Sequence, residues 1–202
     1  MTATPLLKRD PQALLDARMS RRAFIAKGLG GAALLMAAPH FISTAQAALL
    51  HSPARRIALN NLHTGETCAL TYWEDGDYLP EAMATINRVL RDHRTNETHP
   101  IDPALMDLLA ALHQRLETRQ PFEVISGYRS PASNAAMHAQ SSGVAGKSLH
   151  MEGKAMDLRV ADRALTAVHA TSVAMGLGGV GYYPSSDFVH VDTGRVRRWS
   201  GA

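Results

Sequence analysis

Residues 150–157 read His-Met-Glu-Gly-Lys-Ala-Met-Asp, and residues 188–192 read Phe-Val-His-Val-Asp. The imidazoles of His150 and His190 and the carboxylate of Asp157 are ligand types that zinc prefers. Three protein ligands leave a fourth coordination position for water, as hydrolytic metal sites require. The two stretches therefore predict a metal centre where a turn and two strands meet.

The residues between and beside these ligands fit the same site. Gly153 permits a tight turn, and Ala155 keeps the backbone near the metal uncrowded. His190 and Asp192 lie two positions apart in a predicted strand, so their side chains share a face. We therefore expect Asp192 to point at the same pocket as His190.

The pattern of apolar residues predicts an α+β fold. Helices are predicted to begin near Pro80 and Pro103. The other predicted elements are a hairpin of strands 56–60 and 67–72, a strand 122–126, a short helix 133–140, a loop 141–147, a strand 155–160, a helix from 162 or 163 to 175, and strands 180–183 and 188–192. This order lacks a regular strand and helix alternation, so we expect an antiparallel sheet with helices packed on one face.

Residues 1–47 have the composition of an export signal. The twin arginine Arg21-Arg22 precedes an apolar run from Gly28 to Pro39, and Ala45-Gln-Ala47 resembles a cleavage site. The apolar run is shorter than the about 20 residues that span a bilayer. We expect a twin-arginine (Tat) signal cleaved after Ala47, the Tat export machinery as a partner of the precursor, a periplasmic location, and no stable membrane anchor. Residues 48–202 then form one domain.

Charge and cysteine usage exclude other classes. The chain has 21 Lys and Arg and 18 Asp and Glu, of which six basic and two acidic residues lie in residues 1–47. The predicted domain therefore has a formal net charge of −1, which argues against nucleic acid as a partner. Cys68 is the one cysteine, so an intramolecular disulfide and a thiolate-rich zinc site are both excluded.

Further motifs surround the predicted metal ligands. They are Ser148 two residues before His150, Ser126-Gly-Tyr-Arg-Ser130, and Gly178-Gly-Val-Gly-Tyr-Tyr-Pro184. With these motifs the chain resembles the D-alanyl-D-alanine carboxypeptidase and dipeptidase family of zinc peptidases, whose fold is shared with the hedgehog signalling domain. Within that family it is most similar to a branch of murein endopeptidases, over nearly the whole of residues 48–202.

The resemblance implies a periplasmic zinc peptidase that acts on the peptide stems and crosslinks of peptidoglycan. It implies one zinc ion per chain, with His150, Asp157 and His190 as ligands. Arg129 is expected to bind substrate or the developing oxyanion, and Ser148 to hydrogen-bond substrate. Tyr182 and Tyr183 are expected to line the cleft, although tyrosines in an apolar strand also suit core packing.

The general base stays open between two carboxylates. Relatives with an acidic residue three positions before the last histidine use it as the base, and Asp187 matches that position, but strand alternation puts Asp187 out of phase with His190. Asp192 is in phase, yet it also suits the role of holding a ligand imidazole from behind. A base elsewhere in the chain is the third alternative.

Three functions are compatible with these residues. The first is a zinc-dependent murein endopeptidase that opens peptide crosslinks with a metal-activated water. The second is a D,D- or L,D-carboxypeptidase that trims wall peptides. The third is a non-catalytic, zinc-stabilised wall-binding domain.

Overall fold

The computed structural model describes residues 54–140 and 145–201. The export signal predicted over residues 1–47 lies outside the described residues, and so do residues 141–144 of the predicted loop. Within the described ranges, every helix is too short or too polar to cross a bilayer.

Eight strands and four α-helices make up the described chain. The strands are β1 (Ala54–Asn61), β2 (Thr67–Glu74), β3 (Asp77–Tyr78), β4 (Phe122–Ser126), β5 (Ala155–Val160), β6 (Gly179–Tyr183), β7 (Phe188–Asp192) and β8 (Arg197–Ser200). The helices are α1 (Pro80–Val89), α2 (Pro103–Arg115), α3 (Pro131–Gln140) and α4 (Leu165–Met175), with a 3₁₀ helix at Leu149–Glu152.

The strands form one sheet in the order β3-β2-β1-β4-β5-β7-β6-β8. Five neighbouring pairs are antiparallel, whereas β1 with β4 and β6 with β8 are parallel. Strand β4 is parallel to β1 because the connection that contains α1 and α2 returns the chain to the end of the sheet where β1 begins. Strand β8 is parallel to β6 because β7 runs in the opposite direction between them in the sequence. The predicted α+β class is confirmed, with an antiparallel sheet except at these two pairs.

The central strands separate a core face from a polar face. Alternate residues of β4, β5 and β7 pack in the core with α1, α2 and α4, and they are Phe122, Val124, Met156, Leu158, Val189 and Val191. Asp157, His190 and Asp192 occupy the intervening positions, so their side chains project from the opposite face. The sheet therefore places the apolar core on one side and the predicted metal ligands on the other.

Helices α1 and α2 confirm the predictions from Pro80 and Pro103. The carboxylate of Asp102 caps α2 by accepting the Ala104 N–H at 2.9 Å. Leu105 and Leu109 of α2 are fully buried. These helices form the wall of the core that the leucine spacing predicts.

Helix α3 lies on the other side of the sheet from the core. Its buried residues are Ser133 and Asn134, and its Met137 lines the same cavity as His150. The short helix lacks the apolar stripe that would bury it against the core. The prediction that helices pack on one face of the sheet therefore holds for α1, α2 and α4, but not for α3.

Two strands were not predicted. β3 has two residues, and β8 reads Arg197-Arg-Trp-Ser, without apolar alternation. All four residues of β8 pair with β6, from Gly179 to Tyr182. Strand β8 brings two side chains to the metal centre described below.

Candidate metal centre

A row of residues crosses the sheet at the predicted metal centre. Antiparallel pairing places Asp157 of β5 directly opposite His190 of β7. The row continues to Ser126 of β4 on one side, and through Gly181 of β6 to Trp199 of β8 on the other. The sheet register alone therefore fixes two of the three predicted ligands side by side.

His150 reaches this row from the 3₁₀ helix. Ser148 caps that helix by accepting the N–H of His150 at 3.4 Å. Gly153 ends it in the left-handed region, with φ of 66°, and a Cβ there would lie 2.3 Å from the Pro100 carbonyl oxygen. Only glycine meets both requirements, which confirms the tight turn predicted at Gly153.

The three predicted ligands form a buried triangle. His150 Nε2 lies 3.2 Å from His190 Nδ1 and 3.2 Å from Asp157 Oδ1. His190 Nδ1 lies 2.8 Å from the same Asp157 oxygen. Ligand atoms bound tetrahedrally at the usual zinc distances are about 3.3 Å apart, so the triangle is close to the size that zinc requires.

The outer ring nitrogens of both histidines have partners that accept a proton. His150 Nδ1 lies 2.7 Å from the Gly127 carbonyl oxygen, so this nitrogen donates. His190 Nε2 donates to the Asp192 carboxylate at 3.0 Å. A neutral imidazole with its outer nitrogen donating leaves its inner nitrogen available to a metal ion, at the point that the Asp157 carboxylate also faces. Three electron-rich atoms this close together need a cation between them, and the donor set fits zinc.

The pKa values of these groups reflect the same crowding. Burial lowers the pKa of His190, but its hydrogen bonds with Asp157 and Asp192 outweigh burial and raise the pKa to about 9. Burial acts to raise the pKa of Asp157, but the charges and hydrogen bonds of both histidines hold it well below its usual range. A proton therefore competes with a metal ion for this site, and metal binding releases it near neutral pH.

The triangle lines an open cavity of about 380 Å³. Four cationic side chains also line it, those of Arg94, Arg129, Lys147 and Arg197, against one carboxylate, Asp157. Its aromatic lining is Tyr183 and Phe188, whose rings stack 4.5 Å apart, with Trp199. The cavity therefore suits an anionic ligand with apolar portions.

Arg129 and Ser148 line this cavity together with the triangle, as the sequence predicts for substrate-binding residues. Arg129 Nη2 lies 3.6 Å from Asp157 Oδ2, and the other contacts of the guanidinium, with Ser126 and Asn134, are long. Its Nε is buried without a hydrogen-bond partner among the described residues. Burial lowers the pKa of Arg129, and the charge of Asp157 opposes that shift. The guanidinium has donors left for a ligand.

The structure does not bring Asp187 to the triangle. Asp187 lies in the turn between β6 and β7 with φ of 53°, and its side chain is 60% exposed. Its carboxylate accepts a hydrogen bond from Arg159 Nη1 at 2.6 Å. It is absent from the described residues that line the cavity.

Asp192 lies behind the triangle and is fully buried. Besides His190 it accepts hydrogen bonds from the backbone N–H groups of Gly179 and Gly194 and from Arg197. Burial acts to raise the pKa of Asp192, but these hydrogen bonds keep it below its usual range. Both carboxylate oxygens are therefore engaged in holding neighbouring groups.

Tyr182 points away from the cavity. Its ring packs against the core and stacks on His169, with the ring centroids 4.7 Å apart. The next residue, Tyr183, lines the cavity instead. Alternation along β6 explains the difference, because Tyr182 shares a face with the core residue Val180.

Sequence reasoning missed several residues around the cavity, namely Arg94, Lys147, Phe188, Arg197 and Trp199. The residues that follow the last predicted ligand strand gave one usable signal, because a tryptophan directly after two arginines is unusual in a polar segment. Arg94 and Lys147 lie in irregular segments, so no periodicity indicated where they point.

An α+β domain with two histidines and an aspartate converging on a sheet face, below an open cavity, has the architecture of a metal-dependent peptidase. A family model described as "Peptidoglycan L,D-endopeptidase MepK" matches residues 50–199. The chain belongs to this family, which is the zinc peptidase branch that its motifs predict.

Individual relatives cover nearly all of the chain. The peptidoglycan L,D-endopeptidase MepK of Escherichia coli (strain K12) is 44% identical over 181 residues, 89% of this chain and 97% of the relative. The MepK of Shigella flexneri gives the same values. A probable MepK of Haemophilus influenzae is 38% identical over 175 residues, 86% of this chain and 92% of the relative. The predicted class, a peptidase of the murein endopeptidase family, is confirmed.

Proposed function

We propose that this protein hydrolyses peptide crosslinks of peptidoglycan at L,D bonds, such as those linking two diaminopimelate residues, with one zinc ion held by His150, Asp157 and His190. The proposal rests on the convergence of two ring nitrogens and one carboxylate at an open cavity. Structural zinc sites are closed by four protein ligands, whereas three ligands leave room for water. The activity named for the relatives supports the choice of the L,D bond.

The chemistry divides between the ion and the side chains. Zinc, when bound, supplies a Lewis acid that polarises the scissile carbonyl and lowers the pKa of water to about 7. Arg129 directs its free donors at the developing oxyanion or at a substrate carboxylate, because a guanidinium suits both. The hydroxyl of Ser148 hydrogen-bonds the substrate. Tyr183, which lines the cavity, replaces Tyr182 as the tyrosine proposed to contact the substrate.

The two candidate bases differ in what they contact. Asp192 has both oxygens engaged by His190, Arg197 and two backbone N–H groups, which favours a positioning role. Asp187 would have to leave Arg159 to approach the cavity. We therefore assign neither carboxylate to direct contact with the attacking water.

Arg94 and Lys147 are proposed to bind substrate carboxylates away from the scissile bond. Both line the cavity, and neither has an ion-pair partner within the described ranges. Besides burial, the charge of Arg94 acts to lower the pKa of Arg129, so the like charges interact, while the charges of Asp157 and Asp92 act to raise it. An anionic peptide stem would neutralise the like charges.

Arg94→Ala and Lys147→Ala are each expected to raise the KM for a crosslinked dimer with free diaminopimelate carboxylates about three- to tenfold, with kcat nearly unchanged. The same dimer with amidated carboxylates should lose most of this sensitivity. Arg119→Ala, an exposed arginine outside the cavity lining, is the control. Equal KM increases for free and amidated dimers would contradict the assignment.

Purified protein, loaded with zinc and incubated with defined muropeptides, tests the function itself. Mass spectrometry should reveal new monomers from dimers crosslinked between two diaminopimelate residues. Loss of a single terminal alanine would instead identify a carboxypeptidase. Retained wall binding without any product would identify the non-catalytic alternative.

Export is proposed to follow the twin-arginine route, with cleavage after Ala47 and no stable membrane anchor, so that the enzyme meets the peptide stems in the periplasm. The Arg21-Arg22 pair and the short apolar run support this proposal. Intact-mass measurement of periplasmic protein should give a chain beginning at Ala48. A chain that keeps residues 1–47 would contradict it.

A further inference from the structure

Strand β6 presents two glycines on the polar face of the sheet. A Cβ at Gly179 would lie 2.2 Å from Arg197 Nη1 and 2.5 Å from Asp192 Oδ2. A Cβ at Gly181 would lie 2.6 Å from Trp199 Cε2. Real Cβ atoms do not approach other atoms so closely, so both positions need glycine. The bare backbone of β6 lets side chains of β8 cross it and reach β7.

The side chain of Arg197 crosses β6 at Gly179 and forms a bidentate ion pair with Asp192. Its Nη1 donates to Asp192 Oδ1 at 2.9 Å, and its Nη2 donates to Oδ2 at 2.6 Å. Asp192 is fully buried, and the same Oδ2 accepts from His190 Nε2. A bidentate guanidinium fixes the plane of a carboxylate, and the carboxylate in turn fixes the imidazole that it contacts.

Trp199 crosses at Gly181 and packs against the metal-facing ring of His190. The two ring centroids are 5.2 Å apart. The indole is held in place by its Nε1, which donates to Tyr183 Oη at 2.8 Å, and by the Arg197 guanidinium, 4.8 Å above its ring. His190 is therefore held from behind by the Asp192 and Arg197 pair and from the side by Trp199.

We infer that Arg197 and Trp199 of strand β8 are positioning residues that set the zinc affinity by fixing the His190 ring. We call these two residues of β8 the latch. This inference rests on the proposed zinc site. It predicts that residues remote in sequence from all three ligands control metal retention, and that the glycines at 179 and 181 are required for the latch to close.

The zinc dissociation constant, measured by chelator competition, tests the latch. Arg197→Ala and Trp199→Ala are each expected to weaken zinc binding tenfold or more. Arg197→Lys should recover only part of the loss, because an ammonium cannot span both oxygens. Arg198→Ala is the matched control, an exposed arginine on the other face of the same strand. The visible absorption of the cobalt-substituted protein should change shape in the Arg197 and Trp199 variants only.

The outcomes separate the latch from the zinc site itself. Thermal unfolding in the presence of EDTA identifies variants that fail to fold, and Trp199→Leu, which keeps apolar bulk but removes the ring beside His190, then replaces Trp199→Ala. Zinc affinities within twofold of the Arg198→Ala value in folded Arg197 and Trp199 variants would overturn the latch. Failure of the wild-type protein to bind zinc would overturn the proposed metal site instead.

Discussion

At the scale of single residues, the two histidines of the triangle present different ring nitrogens to the proposed metal site. His150 offers Nε2 because the Gly127 carbonyl oxygen accepts from Nδ1. His190 offers Nδ1 because Asp192 accepts from Nε2. Asp192 therefore acts on the metal through an imidazole, whereas Asp187 forms an exposed ion pair with Arg159. The two carboxylates weighed as bases should respond differently to removal of their charge.

Asp192→Asn is expected to lower kcat/KM on a crosslinked dimer about 10- to 100-fold and to weaken zinc binding, because an amide leaves Arg197 without its counter-ion. Asp187→Asn should stay within about twofold of wild type, since an exposed ion pair contributes little. Steady-state rates combined with zinc content measure both effects. A large rate loss in Asp187→Asn at full zinc content would restore it as the base.

The three metal-facing residues could be predicted because their types and spacing are properties of the sequence. Asp157 and His190 lie in strands whose alternation is visible, and Gly153 marks the turn that brings in His150. The group that orients His150 could not be predicted, because it is a backbone carbonyl 23 residues away. Backbone acceptors carry no residue-type signal.

At the scale of elements, the loop that carries Arg129 is anchored from the segment after α1. Asp92 is almost fully buried, and its carboxylate accepts the Ser130 N–H at 2.9 Å and the Arg94 N–H at 2.9 Å. The Tyr128 N–H donates to the Leu90 carbonyl oxygen at 2.7 Å. One carboxylate therefore fixes the backbone beside two of the cationic residues of the cavity.

Asp92→Asn is expected to lower the free energy of unfolding by about 2–3 kcal/mol at pH 7, because the amide oxygen replaces a carboxylate that accepts from both N–H groups. Urea unfolding of the zinc-free protein measures the change, with the exposed Asp77→Asn as control.

The same pair of proteins gives a pH test. Burial acts to raise the pKa of Asp92, but hydrogen bonds from Ser130 and the Arg94 backbone hold it below its usual range. The Asp92 carboxylate therefore contributes its full stabilisation of the fold above the pKa of an aspartate in the unfolded chain, about 4. Below that pH the contribution falls by up to about 1.4 kcal/mol per pH unit. The difference between wild type and Asp92→Asn should shrink from pH 5 to pH 3. A constant difference over that range would show that Asp92 keeps no depressed pKa.

The elements that could not be predicted are those held by pairing rather than by apolar patterning. Strand β8 carries two arginines and a serine around Trp199, so it gave no strand signal, yet β6 pairs with it in register. The glycines of β6 appeared in the sequence only as part of the Gly178-Gly-Val-Gly-Tyr-Tyr-Pro184 motif. Their steric role depends on which side chains cross them, which only the assembled sheet determines.

At the scale of the whole molecule, the sheet separates the apolar core, which stabilises the fold, from the face that carries the candidate metal centre. The buried leucines, valines and aromatic residues lie on the face covered by α1, α2 and α4. The opposite face carries the triangle and a cationic cavity, although residues 48–202 have a formal net charge of −1. A local cationic site on a nearly neutral part of the chain favours anionic ligands at the cavity.

We propose that His150, Asp157 and His190 hold a zinc ion that the hydrolysis of peptidoglycan crosslinks requires. The direct measurement is the rate of monomer release from a defined crosslinked dimer by the metal-free protein, before and after one equivalent of zinc, beside His150→Ala treated identically. We predict release only by zinc-restored wild type, with rate and bound zinc both lost in His150→Ala. Wild-type release by the metal-free protein, or by His150→Ala, would contradict the claim.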